Sequence, residues 1–275
     1  MAAAALLLTP DWPAPPNVRA LYTTRGRNAA DGASVAPHDF FNLGDHVGDA
    51  PAAVTANRAR LQDAMNARPV FMHQVHGAQV ARLIPGMADG VTADAAIATE
   101  PRLACTVLVA DCLPVLLTDR AGSAVAAAHA GWRGLAGGVL EQALAHFRPL
   151  ALMSESVKAI KNGANEVLAW LGPCIGPDVF EVGAEVREAF ADADASAAAC
   201  FCPLGMGKFL ADLPALARRR LAAQGVTRVY GNDGSAPWCT LTQRERFFSY
   251  RRDQNVLGGS GRMAACIWRD AGTAR

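Results

Sequence analysis

Apolar positions along this chain fall into short, nearly continuous runs separated by turn-rich stretches, and a few segments carry a helical period. The run LACTVLVA, 103–110, is continuous, apolar and rich in β-branched residues, the pattern of a strand covered on both faces. The same reading predicts strands near 19–25, 69–75, 78–84, 114–118, 123–129, 166–171, 227–231 and 262–268. Helices fit 51–66, 135–147, 183–193 and 211–224. Strands and helices interleave without the strict alternation of a doubly wound sheet. No Gly/Ser or Pro tract long enough to act as a linker divides the 275 residues, so one domain spanning 1–275 is expected.

Polar residues that interrupt these runs are the informative ones. Asp111 and Cys112 follow the run at 103–110 and precede a second apolar run, LPVLL. Burying a carboxyl there costs several kcal/mol unless it is paired or hydrogen bonded. The small-residue strand SAVAAAHAG ends at His129 and passes into GWRGLAGG before the helix-like VLEQALAHF. Freed backbone N–H groups at such a turn, with the guanidinium of Arg133, suit an anion such as phosphate; a tight structural turn fits the same glycines. His76 lies in FMHQVHG, in a third apolar setting.

Two imidazoles and a thiolate, from His76, Cys112 and His129, form a three-ligand shell for zinc that leaves a fourth position open, as catalytic zinc sites do. The three are far apart in sequence, so the fold has to bring them together. His73 is three positions from His76; in a strand that spacing puts the rings on opposite faces and excludes His73 as a fourth ligand. Cys174, between two Gly-Pro elements, and Cys239 read as structural, and the Cys200/Cys202 pair has no further ligands near it in sequence.

QVHG at 74–77, ADCLPVLL at 110–117, HAGWRGLAGG at 129–138 and GPCIGP at 172–177 together resemble the YfiH-like family. PDW at 10–12, TTR at 23–25, NLGDHVGD at 42–49, NRARL at 57–61 and FFSYRRD at 247–253 extend the resemblance over nearly the whole chain. That family is also called the multicopper polyphenol oxidase or laccase domain family. It includes zinc-dependent purine nucleoside phosphorylases with adenosine deaminase and methylthioadenosine phosphorylase side activities. The resemblance implies a layered α/β (α+β) fold of mixed sheets flanked by helices, with the site at strand ends. It carries metal ligation onto His76, Cys112 and His129, the residues that ligand chemistry selects. Arg25, Asn42, His46 and Arg251 lie in shared segments and offer donors suited to phosphate or ribose; each is equally suited to cap a turn or pair with Asp45, Asp49 or Asp253. The stretch GRNAADGAS after TTR and the segment 152–166 depart from the family pattern, and both bear on specificity.

Three chemistries fit these residues. In the first, zinc acts as a Lewis acid in phosphorolysis of inosine, adenosine or methylthioadenosine, Arg133 holds phosphate, and Asp111 supports a ligand or a hydroxyl. The same metal can activate water for adenosine deamination. In the second, the His2Cys set holds copper and oxidises phenols. Histidine supply argues against it, because the chain has six His and no HxH pair for a trinuclear cluster. In the third, Cys112 is a nucleophile with His129 as its base, a cysteine hydrolase or amidase of the kind needed to edit peptidoglycan precursors.

Composition narrows the partners. A net charge of +1 argues against nucleic acid, and the Arg218–Arg220 cluster reads as a solvated helix face. Seven cysteines without regular spacing do not form a secreted disulfide framework. MAAAALLLTP lacks a leading positive charge and meets Pro10 early, and no apolar run is long enough to span a bilayer. The expectation is a cytoplasmic, non-membrane enzyme, a monomer or weak homo-oligomer, acting on a small purine nucleoside and phosphate.

Overall fold

The computed structural model describes residues 6–147 and 167–271. Its longest apolar runs build two sheets. One orders five strands as β1 (Leu7–Leu8), β2 (Val18–Thr23), β14 (Met263–Arg269), β6 (Leu103–Val109) and β3 (Arg68–Phe71). The other orders six as β13 (Arg228–Gly231), β9 (Val167–Leu171), β7 (Leu113–Asp119), β8 (Val125–Ala130), β5 (Ala95–Ala98) and β4 (Val80–Arg82). Glu181–Gly183, Lys208–Ala211 and Phe201–Gly205 form a small third sheet. Parallel and antiparallel pairs mix within the two large sheets, as expected for a layered α/β fold.

Why the central runs are apolar throughout follows from the layering. In β6, Cys105 and Val107 join a core with Leu116, Ala127 and Trp170 of the six-stranded sheet, while Ala104 and Leu108 face Leu61 and Met65 of the helix Pro51–Met65. On the far side of the six-stranded sheet, Leu113, Val115 and Leu117 pack with Leu140, Leu144, Phe190 and Leu216 from three helices. The central strands of each large sheet are therefore buried on both faces, and their side chains stabilise by about 25 cal/mol per Å² of apolar area removed from water.

Several elements differ from expectation for local reasons. The helix expected over 135–147 begins at Trp132 and breaks into Trp132–Ala136 and Val139–Ala145, because Gly138 sits at φ 89 between them. The strand expected over 69–75 ends at Phe71, and His73 makes only an isolated bridge to Thr92. The expected helix at 183–193 is Ala184–Ala191, preceded by the strand Glu181–Gly183. Ala95–Ala98 was not anticipated, since four apolar residues, three of them alanine, carry no period. Nor was the helix Tyr250–Leu257, a polar segment in which only Asp253 is buried; Ser249 caps it by accepting from the Arg252 N–H, and Gly258 ends it at φ 76. The stretch 26–34 packs on the helix Pro51–Met65, where the Ala33 N–H donates to Asn57 Oδ1 at 2.8 Å. The divergent segment 152–166 lies outside the described residues. Among the described residues no helix is long and apolar enough to cross a membrane.

Candidate metal centre

Strands β3 and β6 are parallel neighbours, so both leave the five-stranded sheet at the same end. The chain then crosses twice into the six-stranded sheet, from β3 to β4 and from β6 to β7. One crossing carries His76 and the other Cys112. Strand β8 runs antiparallel to β7 with Leu113 opposite Ala130 and Pro114 opposite His129, which delivers His129 beside Cys112. His129 shares the strand parity of Val125 and Ala127, so it faces the space between the sheets. Both crossings turn sharply: His76 has φ 59 and Asp111 φ 89, left-handed values that few residues other than glycine adopt.

The three candidate ligand atoms lie within 4.8 Å of one another, and Cys112 Sγ is 3.7 Å from His76 Nε2. The two imidazole centroids are 4.8 Å apart. Donors of a tetrahedral zinc, bound at the usual N and S distances, are separated by about 3.3–3.8 Å; the Cys112–His76 distance of 3.7 Å falls in that range, and two imidazole nitrogens with a thiolate are donors of the type that ion takes. Among the described residues this is the one grouping of His, Cys, Asp or Glu with such geometry, and His73 is not part of it. Gly131 closes one side. A Cβ there would meet Cys112 Sγ at 2.8 Å and His76 Cδ2 at 3.1 Å, so the sulfur occupies room that a side chain would take.

Electrostatics favour a thiolate. Burial pushes the Cys112 thiol up, but the charge and hydrogen bond of His129, with help from His76, outweigh it and bring Cys112 down to about 6. Burial pushes His129 down, and the facing thiolate and Asp94 outweigh that and raise it to about 9. In metal-free protein, alkylation of Cys112 by iodoacetamide is therefore expected to rise with pH through about 6 and level off near neutrality. Mass-spectrometric site occupancy against pH checks this; an inflection near the ordinary thiol value of 9 contradicts it.

The other sequence candidates fall into two groups. Asp111 accepts from Thr240 Oγ1 at 2.6 Å and from the Arg251 N–H at 2.7 Å, while its own carbonyl accepts from Ile175 N at 2.9 Å. Burial raises its carboxyl, opposed by those same donors. Asn42 is fully buried and saturated: its amide donates to Gly44 O and Asp49 Oδ2 and accepts from the N–H groups of Gly44 and Arg262. Arg25 pairs with Asp39 at 3.4 Å and lies over the Phe248 ring. Three residues are more open. Arg133 is exposed, its guanidinium 4.4 Å from the Trp132 ring centroid. Arg251 is exposed and donates to Glu181 O at 3.1 Å. His46 is exposed beside Asp45 at 3.5 Å. Asp253 pairs with Arg252, not Arg251.

Sequence reasoning missed two residues. Asp94, fully buried, accepts from His129 Nδ1 at 2.9 Å and from the N–H groups of residues 75–77. Burial alone would raise its carboxyl, but the bonds from His129 and Gly77 outweigh it and hold it low. The signal was present: Asp94 precedes the apolar AAIA as Asp111 follows LACTVLVA. Arg262, whose guanidinium donates to Ser260 O and Gly261 O, feels both Cys112 and Asp111. Nothing local distinguished it from the other arginines.

Known proteins resemble this chain over nearly its full length. The family described as "Multi-copper polyphenol oxidoreductase laccase" matches residues 19–270. A purine nucleoside phosphorylase of Pseudomonas aeruginosa is 47% identical over 262 residues, covering 95% of this chain and 97% of its own length. The purine nucleoside phosphorylase YfiH of Escherichia coli is 47% identical over 264 residues, covering 95% of this chain and 98% of its own. Among solved structures, a Neisseria meningitidis protein superposes with a TM-score of 0.83 at 45% identity, covering 97% of this chain and 100% of that one. YlmD from Geobacillus stearothermophilus gives 0.84 at 27% identity, covering 98% of each chain.

Proposed function

The chain belongs to the multi-copper polyphenol oxidoreductase laccase family, and from that premise we propose that it is a zinc-dependent purine nucleoside phosphorylase, with adenosine deamination as a second activity of the same centre. The observation that carries the reading is the convergence of His76, Cys112 and His129 within 4.8 Å at one end of two sheets, in a chain 47% identical to proteins named purine nucleoside phosphorylase. Two nitrogens and a thiolate on one ion leave a fourth position open, the arrangement of a catalytic site.

Bound there, zinc supplies Lewis acidity toward a substrate oxygen. The protein's own residues do the rest. Arg133, exposed beside the glycine-rich turn with its guanidinium over Trp132, holds the phosphate through charge-assisted hydrogen bonds. Phosphate oxygen forms a bond to the anomeric carbon of the ribose as the bond to the purine nitrogen breaks; the electron pair leaves with the base, which is then protonated. Positive charge on the ribose in this transition state is stabilised by the phosphate that attacks it. His46 and Arg251, both exposed, contact the nucleoside, whereas Arg25 and Asn42 act on the site through the loops they tie down. Asp111 acts as a brace for the turn that carries Cys112.

Release of hypoxanthine from inosine by zinc-loaded protein tests this reading. Release is expected to require phosphate and to yield ribose 1-phosphate in equal amount. Arg133→Ala is expected to raise the phosphate KM about 10–100-fold, the equivalent of one charge-assisted hydrogen bond of about 1.5–3 kcal/mol. Adenosine is expected to give ammonia as well as adenine. Phosphate-independent release, or none from zinc-loaded protein, overturns the phosphorylase.

A further inference from the structure

One carboxylate touches two of the three candidate ligands, and does so through different parts of each. Asp94 Oδ1 accepts from the ring Nδ1 of His129 at 2.9 Å and from the backbone N–H of His76 at 2.9 Å. Oδ2 accepts from the N–H groups of Val75 at 3.1 Å and Gly77 at 2.7 Å. The Asp94 carbonyl accepts from the His129 N–H at 2.7 Å. The side chain is 0% exposed, and among the described residues its one ion-pair partner is His129. Such density of bonds exceeds what holding a turn requires.

Each set of bonds has a separate consequence. Three successive N–H groups converge on Asp94 because His76 adopts φ 59; without an acceptor at their focus these donors would be left unpaired, and that backbone would lose its main support. The His76 imidazole, whose Nε2 lies 3.7 Å from Cys112 Sγ, is aimed by this backbone. On His129, a carboxylate at Nδ1 makes that nitrogen the one carrying the proton, and leaves the Nε2 lone pair for a metal. The carboxylate thereby ties a ligand on the β3–β4 crossing to a ligand on β8, two elements that no strand pairing joins.

We propose that Asp94 is the positioning residue of the metal centre: by holding the His76 backbone and the His129 ring together, it builds the ligand geometry before the metal arrives. The inference rests on the metal reading above.

Cobalt is the probe. Metal-free wild type and Asp94→Asn, both confirmed as folded by circular dichroism, are titrated with Co2+ against a chromophoric chelator, and the thiolate-to-cobalt and d–d bands are recorded. Asn keeps one acceptor oxygen but turns an N–H2 toward the converging donors. Affinity is expected to fall about 10–100-fold, the usual cost of losing a partner behind a metal ligand, with an altered d–d envelope. A purely structural role would lower stability and leave the spectrum of the bound ion unchanged. The wild type gives a second readout, independent of any variant: nitrogen-15 NMR of the zinc-loaded protein is expected to show the His129 proton on Nδ1 and the metal on Nε2. Wild-type affinity and spectrum in a folded Asp94→Asn overturns the inference, and so does a proton on Nε2. A wild type that takes up no Co2+ overturns the metal reading itself.

Discussion

Cys112→Ala is expected to lose bound zinc and to lower phosphorolysis about a thousandfold or more, the rate equivalent of the several kcal/mol that a Lewis acid contributes in a transition state. The thiolate is the anionic member of the trio and lies 3.7 Å from His76 Nε2, so its removal takes away one of the three ligands and the one that carries a negative charge directly onto the cation. Cys174→Ala is the control. Cys174 is also buried, but its thiol receives the Asn232 amide at 3.4 Å, its backbone pairs with that of Cys239, and it is not one of the clustered donors, so its replacement is expected to cost about 1 kcal/mol of stability through a small cavity and to leave zinc and turnover intact. Metal analysis together with hypoxanthine release reads both variants. Full zinc occupancy in Cys112→Ala would remove the centre from its assigned place. Zinc lost with turnover kept would favour chemistry that needs no metal, whereas zinc kept with turnover lost would favour Cys112 as a nucleophile.

Asp111→Ala is expected to give the largest loss of stability among the site variants. Its two carboxylate oxygens accept from Thr240 and from the first turn of the helix Tyr250–Leu257, and removing them strands both donors, at about 1–3 kcal/mol each. Alanine also tolerates φ 89 less well than aspartate, whose short polar side chain can support a left-handed backbone. A total of about 2–6 kcal/mol corresponds to a fall in Tm of roughly 5–15 °C for a domain of this size. Thermal unfolding followed by circular dichroism measures it. Unchanged Tm with lost turnover would make Asp111 a participant in the reaction and not a brace.

Much of the architecture is legible from periodicity, because a strand buried on both faces must be apolar at nearly every position, as β6 is with Thr106 its one polar residue. Legibility fails where packing replaces local preference. The polar helix Tyr250–Leu257 carries no hydrophobic stripe and is held at its start by Ser249 and Asp111. Ala95–Ala98 has no period, so its strand went unread, and with it the significance of Asp94 immediately before it. Substrate candidates divided for a similar reason. Asn42 and His46 lie in one motif, yet one is saturated and buried while the other is exposed, and sequence carries no record of which hydrogen-bonding groups meet a partner.

By itself the sequence determined the donor types, the strands that carry or adjoin them and the interruption of apolar runs by ionisable residues, because ligand preference and hydrophobic periodicity are local properties. Which of six histidines and seven cysteines meet was decided by tertiary structure. Parallel pairing of β3 with β6 sends both crossings to one end, and the β7–β8 register sets His129 beside Cys112. Those pairings join residues far apart in the chain, and only the closing of two sheets over a shared core fixes where such residues come to lie.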